Sequence, residues 1–128
     1  MRVRWLRCLV AAVLAELAAI IVLVLMVAVL APRDPAAAQA YAEGVGRFVG
    51  PVAGGFFGLL GGYFVARPLP MAHVRHGAFF GVLFAAVDVA LIVASQAPFE
   101  WIFAVSNVGR FLGGIVGARL ASRAPVSP

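Results

Sequence analysis

The chain has 128 residues, of which 64% are hydrophobic and 12% charged, with a formal net charge of +5. Its mean hydropathy is +1.06. The charged share is about half that of an ordinary soluble domain, and a soluble fold of this size has too little interior to hide so much apolar surface. All ten basic residues are arginine, and they form neither a run nor a single helical face. The charge therefore excludes nucleic acid as a partner, and the composition makes the lipid bilayer the surroundings of an all-α, polytopic membrane protein. Arginine without lysine, together with the alanine richness, points to a GC-rich bacterial genome and so to a bacterial cytoplasmic membrane.

From Cys8 to Leu30 the chain is apolar except for Glu16. About 20 such residues cross the hydrocarbon core, so a first span is predicted over about residues 5–30. Ala38–Gln39–Ala40 offers a small-residue site of the kind found after signal peptides. The apolar run exceeds the about 7–15 residues of a signal core, however, and is read as a retained helix. Cys8 is the one cysteine, so no intrachain disulfide forms, and it is read as a small apolar residue.

Asp34 can cap and Pro35 can open a short outer helix, predicted over about 35–43 along the membrane surface. A second span follows over about 47–66, with Pro51 either kinking it or marking its start. Two prolines in RPLPMAH (67–73) separate it from a third span over about 76–97. Pro98 separates the third from a fourth over about 100–119. The whole reads as a single four-helix transmembrane domain. VGRFVG (45–50) recurs as VGRFLG (108–113), and GGYFVAR (61–67) as GGIVGAR (113–119). Both a duplicated hairpin and convergent glycine patterning produce such matches.

Arg2, Arg4 and Arg7 precede the first span, Arg67 and Arg75 flank the second connection, and Arg119 and Arg123 close the last span. The opposite side carries Arg33, Asp34, Glu43, Arg47 and Glu100 and is near neutral. The positive-inside rule places both termini in the cytoplasm, with Trp5 and Trp101 at the inner and outer interfaces.

The second span has glycine at every fourth position: Gly46, Gly50, Gly54, Gly58 and Gly62, continued by Ala66. The third carries Gly77, Gly81 and Ala85, and the fourth Gly109, Gly113, Gly117 and Ala121. In water such rows weaken a helix by about 0.8–1 kcal/mol per glycine. In lipid they let helix backbones approach and gain close van der Waals contact. They are read as glycine-zipper packing faces. With Gly55 and Gly61 on a further line, they offer more small surface than one neighbour needs, which suggests contact with another protomer or another membrane subunit. No phosphate-loop pattern accompanies them.

Ionisable residues inside a membrane are its sharpest functional signal. Counted from the flanking arginines, Glu16 and Arg110 lie about 13–14 Å deep. Asp88 and Asn107 lie about 18 Å deep. Asp88 extends the Gly77–Gly81–Ala85 row, Glu16 shares a face with Ala12 and Ala19, and Asn107 and Arg110 are three apart. The expected arrangement is Arg110 between two carboxylates, with Asn107 completing the hydrogen bonds. Such a cluster serves either as a structural ion pair fixing helix register or as a titratable coupling site.

VLAELAAI (13–20), with a single glutamate in the first of four short helices, resembles the first helix of the small multidrug resistance transporters. The resemblance implies a glutamate that binds proton and cationic drug in turn. It covers about one helix in four; the long loop that follows and Arg110 depart from it, and the chain is not assigned to that family. His73 and His76 begin the third span and are read as solvated interfacial residues. Two histidines three apart make a poor metal site, and neither metal nor cofactor is expected. With no G-x-S-x-G and no H-E-x-x-H, no catalytic residue is assigned. The leading expectation is a non-enzymatic packing or assembly subunit of a homo-oligomer or larger membrane complex. The alternative is a small proton-coupled transporter or channel using Glu16, Asp88 and Arg110. A cavity reaching the acids would favour the second; a dry, fully paired core would favour the first.

Overall fold

The computed structural model describes residues 4–69 and 73–123, so Arg2 and Pro70 lie outside the described residues. The elements are α1 (Trp5–Leu30), α2 (Pro35–Ala66), α3 (His73–Ala94) and α4 (Trp101–Arg123). Each is long and apolar enough to cross a membrane, and the described residues include no strand.

The separate surface helix over 35–43 is corrected: it is the first part of α2, which runs unbroken for 32 residues. Asp34 accepts a hydrogen bond from the Ala37 amide at 2.9 Å, with Pro35 as the first helical residue. Alanine-rich sequence and a Gln39–Glu43 hydrogen bond one turn apart then carry the helix on. At 1.5 Å per residue α2 is about 48 Å long and outreaches the hydrocarbon core. Pro51 lies inside it without ending it.

The other boundaries shift by a few residues. The third helix begins at His73 and stops at Ala94, where Gln96 turns into the left-handed region at φ 54°. The fourth extends to Arg123, because nothing between Arg119 and that residue breaks a helix.

The helices form a diamond in which α2 and α3 each touch both α1 and α4. The most extensive interface joins α2 to α4, while α1 and α4 make no close backbone approach among the described residues. Glycines lie where α2 and α4 approach each other. A Cβ on Gly58 would stand 2.8 Å from the Arg110 carbonyl oxygen, and one on Gly113 2.7 Å from the Gly55 carbonyl oxygen. On Gly62 it would run into the Gly114 carbonyl, and on Gly117 into that of Leu59. The α3–α4 contact follows the same logic, with Gly77 against Gly114 and Ala118, and Gly81 against the Phe111 backbone.

Burial is one-sided. In α1 the buried residues stop at Ala19, in α3 at Phe84, and in α2 and α4 they begin at Ala53 and Ser106. All therefore lie toward the end that carries Arg4, Arg7, Arg67, Arg75, Arg119 and Arg123, here called the arginine end. Toward the opposite, Glu100 end the helices part. Gly46, Gly50 and Gly109 accordingly make no close helix contact within the protomer. A Cβ on Gly50 meets nothing within 4 Å, and those on Gly46 and Gly109 meet one atom each at 4.0 Å.

Candidate polar site at the floor of a groove

Arg110 occupies the centre of the diamond. Its side chain leaves α4, passes between α2 and α3, and reaches α1. Its Nη2 stands 3.2 Å from Oε2 and 3.3 Å from Oε1 of Glu16, and 3.0 Å from Oδ1 of Asp88. Its Nη1 donates to the Ser106 hydroxyl one turn earlier on α4. Asn107 Nδ2 donates to Asp88 Oδ2 at 2.8 Å and to the Phe103 carbonyl at 2.9 Å. Glu16, Asp88, Asn107 and Arg110 thus form one connected cluster on three helices.

Two neighbours shape the passage of the guanidinium. On the α2 side lies Gly54, where a Cβ would stand 2.8 Å from Nη1 and 3.0 Å from Cζ of Arg110. On the α3 side the Phe84 ring lies with its centroid 5.0 Å from Cζ, within cation–π range. Gly54 therefore serves side-chain passage, and Gly58 serves the backbone contact one turn below.

Hydrogen bonding is nearly complete. Asn107 Oδ1 and Arg110 Nε are the buried polar side-chain atoms left without a partner among the described residues. Charge is not balanced, since two carboxylates face one guanidinium. The Arg110 and Glu16 side chains are 4% and 6% exposed, whereas Asp88 is 15% exposed. Asp88 is thus the charged member of the cluster that looks outward.

It looks into a groove. A hollow of about 610 Å³ opens where the helices part, with Asp88, Ser106 and Arg110 at its floor and Glu43, Arg47 and Glu100 near its mouth. An adjoining hollow of about 530 Å³ reaches the same floor between α1 and α3 and touches Glu16. Gly46 and Gly50 line the first hollow. At the mouth Arg47 pairs with Glu100 at 3.3 Å, with side chains 61% and 35% exposed.

Sequence reasoning missed Ser106, although its place four residues before Arg110 puts it on the same helical face. It also missed Gly114, which belongs to a second row on α4 facing α3. His76 departs from its reading as a solvated residue. It is 1% exposed, its Nε2 accepts from the Arg4 amide at 3.3 Å, and its carbonyl accepts from the Cys8 thiol. Among the described residues no group of three or more His, Cys, Asp and Glu side chains is placed to hold a metal ion. Against known proteins, no family model, no curated protein and no solved structure matches the chain.

Proposed function

We propose that this chain is a small, non-enzymatic membrane protein that exchanges a proton or small cation at the Glu16–Asp88–Arg110 cluster, as a proton-coupled transporter or channel. The observation that carries this reading is the groove, which leads from the Glu100 end to the exposed side of Asp88. A site in the middle of a membrane is useful for transport only if water reaches it. The unequal charge supplies the chemistry. One guanidinium offsets one carboxylate, and the second carboxylate calls for a counter-charge, which a proton or a cation entering the groove provides. The arginine bias puts the arginine end and both termini in the cytoplasm of a bacterial inner membrane, with the groove opening outward.

The test is proton flux into liposomes holding the purified chain. Flux that is lost in Glu16→Gln and in Asp88→Asn, with folding intact, supports the reading. Absence of flux from the parent protein overturns it.

A second reading, a packing subunit of a homo-oligomer or larger complex, is favoured by Gly44 and Gly55. Both lie on α2 with open space where a Cβ would stand, so another helix can approach closely there. Gly55→Leu should then change the assembly size in detergent without loss of the folded protomer.

A further inference from the structure

The groove reaches the cluster from the Glu100 end, and among the described residues what lies on the other side of Arg110 is built differently. Phe84 is fully buried against the guanidinium, and Phe80, also fully buried, stacks one turn below with ring centroids 5.6 Å apart. The Phe80 ring fills the space left by the absent side chain of Gly61, where a Cβ would stand 2.8 Å from Cε2. Cys8, Ala12 and Val65 close around the two rings at 0–1% exposure. Below them His76 is sealed by the start of α1. Among the described residues, the centre of the diamond next to Arg110 on the arginine side is therefore packed with apolar groups, with the buried His76 below them.

We infer that Phe80 and Phe84 are the barrier that keeps the outward-open groove from connecting to the arginine end, with Phe84 coupled to the site through its contact with Arg110. The inference rests on the transport reading and adds to it the residues that seal the second half of the path. Close-packed apolar side chains leave no room for a water file, and hydrophobic constrictions block conduction by staying dry. Phe84 touches the one cation of the cluster, so a change in what Arg110 pairs with is felt first at that ring. The device is a plug whose upper surface is part of the binding site.

The experiment has two parts, both on the full chain in liposomes. In the first, Ile92→Cys, which lines both hollows, is exposed to a charged, membrane-impermeant thiol reagent. The parent, whose one cysteine is the buried Cys8, sets the background. Labelling from the Glu100 end supports the open groove, and no labelling overturns the transport reading itself. In the second, proton permeation is compared among the parent, Phe84→Ala, Phe80→Ala and the lipid-facing control Phe56→Ala. Permeation should rise by about tenfold or more in the first two, equivalent to about 1.4 kcal/mol off the barrier, and not in the control. Should Phe84→Ala fail to fold, Phe84→Leu retains most of the volume and carries the comparison. Ile92→Cys labelling with folded Phe84 and Phe80 variants as tight as the parent overturns the plug, as does an equal leak in Phe56→Ala.

Discussion

Arg110 lies across Gly54: the space a Cβ would need on Gly54 is taken by the guanidinium, 2.8 Å away at Nη1 and 3.0 Å at Cζ. The two residues sit on α4 and α2, and their contact lets a side chain of one outer helix reach Glu16 on the opposite one. Gly54→Leu is expected to push the guanidinium out from between the carboxylates. The cost should approach the about 3–5 kcal/mol of breaking a buried ion pair. Gly50→Ala, with nothing in its way, should be neutral or stabilise by up to about 1 kcal/mol. Thermal unfolding in detergent distinguishes the two, and equal midpoints would remove the passage role of Gly54.

Breaking the cluster from its centre should be as costly. Arg110→Leu strands Glu16 and Asp88 together in a low-dielectric interior and is expected to lose about 3–5 kcal/mol. Combining it with Glu16→Gln and Asp88→Asn should recover much of that loss, since an uncharged core needs no counter-charge. A triple variant no more stable than Arg110→Leu alone would contradict the ion-pair account.

The second ion pair is the control for the first. Arg47 and Glu100 are exposed at the mouth of the groove, so Arg47→Ala should change stability by no more than about 1 kcal/mol. The comparison with Arg110→Leu, measured in one detergent at one ionic strength, should show at least about a threefold difference in lost stability.

Gln96 offers a gain. Its φ of 54° ends α3 in the left-handed region, where a residue with a Cβ is at a disadvantage of about 1 kcal/mol or more relative to glycine. Gln96→Gly should raise the unfolding midpoint. A lowered midpoint would show that the Gln96 side chain contributes more than its backbone costs.

Orientation is open to a direct measurement. Reporters fused after residue 128 and between residues 31 and 34 should give opposite signals, cytoplasmic for the first, because arginine is concentrated at one end. A cytoplasmic signal from the 31–34 connection would reverse the direction in which the groove opens.

Hydropathy is local, so four spans could be read directly from runs such as Cys8–Leu30. The rise of a helix is constant, so counting from Arg7 and Arg119 was enough to set Glu16 and Arg110 at one depth. Face and depth together suggested Asp88 and Asn107 as neighbours, and the structure has them hydrogen bonded. Other features depend on which faces meet, and a one-dimensional pattern does not encode that. Gly46 and Gly50 stand in register with Gly54 and Gly58, yet one pair lines a groove and the other supports α4, because the helices part at the level of Arg110. The same divergence exposes Asp88. Ser106 and Phe84 acquire meaning only once the guanidinium is seen to lie between α2 and α3. The continuity of α2 through residues 35–66 was not legible either: neither Gly44 nor Pro51 ends the helix, although its buried residues begin only at Ala53. Helical period and apolar length are properties of each segment alone, whereas the opening angle of the diamond is a property of all four helices packed together.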